Sequence, residues 1–411
     1  IYLISYLGIH YFKVYFKFRV RKFMKLFKSL LVAPAALGLL APMSATANEI
    51  TINDFNPVIE ETLLAGGEGL VDDHSHDGSF SETTSASFSV DFAIGAVDGL
   101  GITTTNKDDG KEAVAAEYGF QIDLTTSFTG EDSLDISIDA GNAGGSSNPL
   151  GEFDLNNGGT ADVLTVDGVS YSFPVGDKIS AFVGAQGTDG SSAFTVACTY
   201  GGPSNTLDDC GNVQSGFGSM DGSSLGASYA ITDEFTMAVG YAGNGVTASR
   251  GLATAEGLDA VGINAAYSKD AYGISATYSS VETEITAGGK TTGYNDSSVA
   301  INGYLSPEGF PSISAGYEFT DIGGVGPNVD EKTSFFVGLQ FDELGPGSAG
   351  FAVGSQGSIT EGDDEAVMYE AYYSYPVNDG MTVTPLIYAK EATSATDEDE
   401  TGVMVKTSFS F

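Results

Sequence analysis

The chain has 411 residues, of which only 17% are charged, and its mean hydropathy is near zero. Soluble globular proteins average about 25% charged residues, so the composition is unusual for a soluble domain. It is typical of a transmembrane β-barrel, in which only every second strand residue contacts lipid. The formal net charge of −39 excludes nucleic acid as a partner on electrostatic grounds.

The N-terminal region has the pattern of an export signal. Residues 24–47 combine a basic start at Met24–Lys28, an apolar run at Ser29–Leu40 and a small-x-small pattern at Ala45–Ala47, which predicts a cleaved signal peptide. Residues 1–23 have no initiating Met and are crowded with aromatic and basic residues, so we expect a non-native upstream extension. Removing residues 1–47 leaves nine basic residues against all 55 acidic ones.

Residues 48–80 are acidic, rich in glycine and without regular alternation, so we expect a disordered or periplasmic segment. Within it, His74 and His76 stand among aspartates. Imidazole and carboxylate groups can hold a metal ion, but we interpret this tract as a solvated tail. The two histidines are weak metal candidates, and the sequence predicts no cofactor.

From residue 81 onward, apolar and polar residues alternate. The first clear strand places its apolar residues on one face, at Phe88, Val90, Phe92 and Ile94. The stretch from Tyr267 to Tyr278 alternates on both sides of a Lys269-Asp270 turn, which is typical of a β-hairpin with one apolar face. We therefore predict an all-β domain over residues 81–411, folded as an antiparallel transmembrane β-barrel.

Polar turns recur at a regular interval along this domain. They fall near Asp177, Asp233, Asp270, Pro307, Glu343 and Asp379, at steps of 56, 37, 37, 36 and 36 residues. Such a step accommodates two membrane strands of about 9–11 residues, a short turn and a longer loop. A solenoid or propeller can share this period, but the aromatic residues beside the turns favour membrane interfaces. We predict about 16 strands, within a range of about 14–18, with short periplasmic turns and long extracellular loops.

Strand parity separates residues that face lipid from residues that face the barrel interior. A charge on the lipid face near the midplane costs up to about 2–4 kcal/mol, so charged strand residues should point inward. The candidates for lining a pore are Asp91, Glu117, Gln121, Asp123, Asp135, Asp139 and Lys406. Inward carboxylates would concentrate cations in a confined aqueous path. Lumen-side aromatics such as Phe336 and Tyr372 are few, and each is more simply a packing residue.

Two cysteines, Cys198 and Cys210, lie twelve residues apart inside the 56-residue interval. An exported chain usually pairs two nearby cysteines, and this spacing fits no zinc or redox motif. We predict a disulfide that staples a surface loop and contributes about 3 kcal/mol in the chain-entropy model.

The end of the chain alternates and finishes on an aromatic residue. One face of this last strand carries Val403, Val405, Thr407, Phe409 and Phe411. The pattern resembles the terminal strand of outer-membrane proteins, which implies that Phe411 is the signal read by the barrel-assembly machinery.

Two further segments resemble a known porin family. They are Tyr118–Asn142, whose most specific part is the block Thr126–Asp132, and Ser228–Thr236. These segments resemble cyanobacterial outer-membrane porins of the carbohydrate-selective OprB type, over roughly Ser81–Phe411. The resemblance implies passive uptake of carbohydrates or of inorganic ions such as iron, and homotrimers by analogy with general porins. Residues 48–80 are too few for the S-layer-homology domain that many members carry.

The sequence contains no nucleophile elbow and no phosphate-binding loop, so we predict no enzyme activity. We predict instead an outer-membrane porin, surrounded by lipid, that passes small hydrophilic solutes and ions and favours cations. The alternative is a secreted or surface all-β structural or adhesive protein whose acidic loops bind calcium.

Overall fold

The computed structural model describes residues 83–100, 113–142, 150–153, 155, 160–217, 222–245, 252–254, 257–287, 290–323, 331–357, 359–360, 366–393 and 397–411. The predicted upstream extension, signal peptide and acidic segment lie outside the described residues, as do His74 and His76.

Seventeen strands form one antiparallel sheet in the described part of the chain. They are β1 Thr84–Asp98, β2 Ala115–Thr126, β3 Ser133–Gly141, β4 Thr165–Val175, β5 Ile179–Thr188, β6 Gly222–Ala230, β7 Phe235–Gly243, β8 Asp259–Lys269, β9 Tyr272–Ala287, β10 Lys290–Leu305, β11 Ser312–Asp321, β12 Glu331–Leu344, β13 Gly347–Ser355, β14 Ile359–Thr360, β15 Val367–Asn378, β16 Met381–Lys390 and β17 Glu400–Ser410. A short 3₁₀ helix covers Gly190–Ala193. Among the described residues, no helix is both long enough and apolar enough to cross a membrane.

The sheet closes into a barrel of sixteen strands. Each long strand pairs with its neighbours in sequence order, and the two-residue β14 only adds a short pairing beside β12. The ring is completed where β1 pairs with β17, from Ser89 opposite Ser410 to Asp98 opposite Thr401. Closure leaves no unpaired edge in the ring, which is what a sheet immersed in hydrocarbon requires. The prediction of about 16 antiparallel strands is confirmed.

The strand faces follow the alternation seen in the sequence. On β8, Val261 and Ile263 are 50% and 53% exposed, whereas Asn264, the residue after Ile263, is 2% exposed. Because successive side chains point to opposite faces, the apolar residues cover the outside of the barrel and the polar residues face its interior. The other strands from β5 to β13 repeat this pattern, with exposed residues such as Leu225, Ile301 and Val337.

Tight connections close the hairpins at one end of the barrel, at residues 176–178, 231–234, 270–271, 306–311, 345–346 and 379–380. Five of the six predicted turn positions lie in these connections. Glu343 instead belongs to the end of β12, and the turn follows at residues 345–346. At the other end, β9 and β10 continue as a hairpin of 16 residues each, so the long connection expected there is replaced by extended strands.

The chain termini of the barrel meet at the tight-turn end. Phe88 N–H donates to Phe411 O at 2.9 Å, and Phe411 N–H donates back to Phe88 O at 3.0 Å. Their rings stack with centroids 5.7 Å apart. The last residue therefore completes the ladder that closes the ring.

The turn between β2 and β3 is built around one carboxylate. Asp132 accepts hydrogen bonds from the Ser127 and Thr129 hydroxyls and from the Phe128 and Thr129 backbone N–H groups, at 2.7–2.9 Å. Tyr171 on β4 donates its hydroxyl to the other oxygen at 2.7 Å. The Tyr171 hydrogen bond, followed by those from Thr129 and Ser127, holds the pKa of Asp132 well below its usual range. This hydrogen-bond network gives the polar residues of the Thr126–Asp132 block a structural role, which is to hold the turn.

Candidate channel lumen

The seven residues predicted to line a pore all lie on the inner face. Phe92 and Ile94 are 52% and 43% exposed on the outside of β1, so Asp91 and Ala93 between them face inward. Residues directly opposite each other on paired strands share a face, and Ala93 lies opposite Lys406 on β17 and opposite Glu117 on β2. The registers then place Gln121 opposite Asp139, Asp123 opposite Ser137, and Thr125 opposite Asp135. The inner wall of β17, β1, β2 and β3 is therefore rich in carboxylates.

The wall carboxylates are held by neighbouring hydroxyls. Ser137 donates to Asp123 at 2.7 Å, and Ser133 and Thr125 donate to Asp135 at 2.8–2.9 Å. These hydroxyls provide hydrogen-bond donors for the carboxylate oxygens. Lys406 lies 4.0 Å from Asp91, so this lysine is already engaged with a wall carboxylate.

A second lumen element is the connection from β5 to β6, and we call residues 189–217 the inner loop. Its backbone N–H groups at Thr195, Ala197 and Thr199 donate to the side chains of Asn264, Ser275 and Ser314, each at 2.9 Å. The three acceptors are buried on the inner faces of β8, β9 and β11. The inner loop therefore runs along the inside of the barrel wall.

The second half of the inner loop is anchored in the same way. Asn302 donates to Cys210 O and Ser334 donates to Gly211 O, both at 2.8 Å. Glu318, which is 1% exposed, accepts from Gln214 N–H at 2.9 and 3.0 Å and from Ser215 N–H at 2.7 Å. Small polar residues on β8–β12 thus serve as fixed partners for the backbone of the loop.

Apolar packing adds to these hydrogen bonds. The Tyr200 ring lies 5.2 Å from Phe336 and 6.0 Å from Tyr372, centroid to centroid, and the Tyr200 hydroxyl donates to Glu370. Phe336 and Tyr372, the lumen-side aromatics considered from the sequence, are 1% and 7% exposed. They pack beneath the loop and do not present a ring face to the interior.

Cys198 and Cys210 are joined by a disulfide within this loop. The prediction of a surface loop is wrong, because Cys210 is 3% exposed and its carbonyl is bound by an inward side chain. The polar composition suggested solvent contact. In the fold, those polar groups meet the polar inner faces of the strands.

The inner loop also brings acidic residues that the sequence reading missed. A cavity of about 660 Å³ is lined by Asp189, Asp208 and Asp209 together with Ser191, Asn212 and Gln214. These acids lie on the loop, and the acids of β1–β3 lie on another arc of the ring. The surplus of residues in the 56-residue interval was the signal that could have revealed an additional lumen element.

Within the described residues, no group of three or more His, Cys, Asp or Glu side chains has an arrangement that could hold a metal ion.

Solved structures of outer-membrane proteins share this architecture. OprB of Pseudomonas putida, in a high-pH structure, gives a TM-score of 0.56 with 12% identity, over 80% of this chain and 94% of its own. The outer membrane channel DcaP of Acinetobacter baumannii gives 0.52 with 12% identity, over 81% and 99%. OmpT of Vibrio cholerae, an outer membrane protein in a loop L8 deletion mutant, gives 0.51 with 10% identity, over 80% and 100%. The chain has the barrel fold of these proteins.

No protein-family model and no curated protein matches the chain. At 10–12% identity the structural likeness shows the fold alone. Solute and selectivity have to be argued from the lumen itself.

Proposed function

We propose that this protein is an outer-membrane porin that lets small hydrophilic solutes and ions diffuse passively and favours cations. The observation that carries the proposal is a closed barrel of sixteen strands with an apolar outside and a polar, acid-rich inside. A barrel of 16–18 strands is wide enough for an aqueous channel. The inner loop narrows that channel. Passive diffusion through it involves no reaction, so no catalytic group is needed.

The charge of the described lumen supports cation preference. Carboxylates occur on the wall of β1–β3, as at Asp123 and Asp135, and on the inner loop, as at Asp208 and Asp209. Among the inward lysines, Lys390 and Lys406 each lie beside a carboxylate, so each compensates a single acidic group of the lumen. A confined path between acidic surfaces raises the local concentration of cations.

The positions of the aromatic residues favour ions and small polar solutes over sugars. A sugar-selective path needs aromatic faces open to the passage, whereas Tyr200, Phe336 and Tyr372 are packed against one another. Inorganic cations, including iron, fit the acidic groups better. Carbohydrates remain a test solute because of the family resemblance noted above.

The test is single-channel recording on protein purified from the membranes of an expressing bacterium. We expect ohmic current steps in a planar bilayer and little block by added sugars. Under a KCl gradient, the reversal potential should have the sign that indicates cation preference. Folded, inserted protein without steps would overturn the porin proposal. A reversal potential that indicates anion preference would overturn only the proposed cation selectivity.

The route to the membrane is part of the same proposal. We infer export through a cleaved signal peptide at residues 24–47, outer-membrane insertion through recognition of Phe411, and the absence of enzyme activity. Fractionation with mass analysis of the mature N-terminus tests the first two points. Size measurement in detergent tests whether three copies assemble, as the family analogy implies.

A further inference from the structure

A second stretch of chain, between β3 and β4, also lies inside the barrel. We call residues 150–153 and 155 the short segment. Leu150, Phe153 and Leu155 are 0%, 2% and 4% exposed, and they belong to the same apolar cluster as Leu386 and Met404 on the inner faces of β16 and β17. The short segment therefore packs on the arc of the wall next to the one that holds the inner loop.

An ion pair fixes the short segment to this wall. The Glu152 carboxylate pairs with the ammonium group of Lys390, on the inner face of β16. The two side chains are only 10% and 18% exposed, so bulk water screens the pair weakly. Lys390 lies opposite Glu400 in the register of β16 and β17. Glu152 is thus one of two carboxylates around a single lysine.

Glu152 also joins the short segment to the inner loop. Its carboxylate accepts from the Thr206 hydroxyl at 3.1 Å and from the Thr206 N–H at 3.3 Å. Its backbone carbonyl accepts from Asn205 N–H at 2.9 Å, and Phe153 forms an antiparallel bridge with Ser204. One residue therefore contacts the wall through its charge and the inner loop through its carboxylate and its carbonyl.

A second lysine lies on the other side of the short segment. The Lys406 ammonium is 5.5 Å from the centre of the Phe153 ring and 4.0 Å from Asp91. Cation–π contacts of this kind add modest attraction when they are partly desolvated. The two inward lysines of β16 and β17 thus flank the short segment.

We propose that Glu152 and Lys390 are positioning residues that hold the short segment and the inner loop together as one partition and so set the width of the passage. The inference deepens the porin function proposed above and rests on it. Removing one partner of a shielded pair leaves the other charge without compensation, which favours release of the segment into water. Because the pair is buried, its loss should change the amount of open space more than the sign of the charge in the passage.

The test uses Lys390→Met, Glu152→Gln and the double variant, all in the full chain. Lys269→Gln is the matched control, because Lys269 pairs with Glu234 at 3.9 Å in a half-exposed pair at the tight-turn end. We expect Lys390→Met to raise the main single-channel conductance on the order of twofold, or to add a higher flickering level, with cation preference retained. Glu152→Gln should have a smaller effect, because Lys390 keeps Glu400 and the amide keeps an acceptor for Thr206.

The double variant should lie closer to the wild type than Lys390→Met does, because only Glu400, and no longer Glu152, is left without the charge of Lys390. Lys269→Gln should match the wild type. Equal conductance of the wild type and Lys390→Met, with both barrels heat-modifiable, would overturn the inference while leaving the porin function intact.

Hydrogen exchange gives a second readout that does not depend on conduction. Peptides covering residues 150–155 and 204–206 should lose protection together in Lys390→Met, since the two stretches share Glu152. Unchanged protection in both, or loss in the short segment alone, would contradict a joint partition. A silent wild-type channel with joint loss of protection would reject the porin function but support the positioning role.

Discussion

The strongest single anchor of the inner loop is Glu318, and its removal should loosen the loop without opening the barrel. Glu318→Ala takes away a buried carboxylate that accepts from the backbone N–H groups of Gln214 and Ser215. Its short hydrogen bonds come from backbone N–H groups of the loop, and the Ser334 hydroxyl on β12 contacts it only at 3.5 Å, so the strand register of β11 does not depend on it. Glu318→Gln keeps one acceptor oxygen and should be intermediate.

The magnitude follows from the number of donors left unpaired. Hydrogen bonds to charged groups contribute about 1.5–3 kcal/mol each, so two donors represent about 3–6 kcal/mol. Removing the carboxylate also removes the cost of its desolvation, which offsets part of this loss. We therefore expect a net loosening of about 2–4 kcal/mol. At about 1.4 kcal/mol per factor of ten, the undocked population of the 211–217 stretch should rise about 30- to 700-fold.

Amide hydrogen exchange of the peptide covering residues 211–217 measures this change directly, because exchange there reports local opening. Thr320→Val is the matched control. Thr320 is the next inward residue of β11, is fully buried, and shares a hydrogen bond with Ser298 on β10 and not with the loop. If protection in Glu318→Ala stays within the range of that control, the reasoning about the carboxylate anchor is wrong.

Three further predictions concern the disulfide of the inner loop, the turn between β2 and β3, and the C-terminal residue. Reducing the Cys198–Cys210 disulfide should loosen the inner loop by about 3 kcal/mol and give noisier single-channel currents, whereas quiet, unchanged currents would contradict a constraining role. Asp132→Asn should lower Tm at pH 7, and this loss should shrink progressively as the pH falls below about 4. The depressed pKa of Asp132 means that its ionised form stabilises the fold fully above about pH 4, and this contribution is lost only as the pH falls from there through the depressed pKa; a Tm loss that does not shrink with falling pH would refute it. Deleting Phe411 should reduce the yield of heat-modifiable barrel, because its backbone pairs with Phe88; an unchanged yield would count against the assembly signal.

The strands could be predicted because barrel strands obey one local rule. Alternation at Phe88–Ile94 and around Tyr267–Tyr278 fixes which residues face lipid, and a turn every 37 residues or so limits the number of strands. The same parity placed Asp91, Glu117 and Asp135 on the inner face. Each of these inferences needs only neighbouring residues.

The course of the inner loop could not be predicted, because its partners are distant in sequence. Thr199 is held by Ser314 and Tyr200 by Glu370, across separations of 115 and 170 residues. A polar stretch with Gly and Pro satisfies its backbone equally well in water or against polar strand faces. The clue was on the wall, where Asn264, Asn302 and Glu318 face inward and each requires a partner once it is buried.

The interior of the barrel divides into two arcs with different chemistry. Strands β8–β17 present small polar anchors, buried carboxylates and apolar residues such as Met368 and Leu386, and these are covered by the inner loop and the short segment. Strands β1–β3 present carboxylates that accept hydrogen bonds from neighbouring hydroxyl groups. In the porin proposed above, the width of the passage would therefore depend mainly on one arc and its electrostatic potential largely on the other. Because the anchoring groups are buried away from the passage while Asp123 and Asp135 are not, changes in conductance and changes in ion preference should separate between the two arcs.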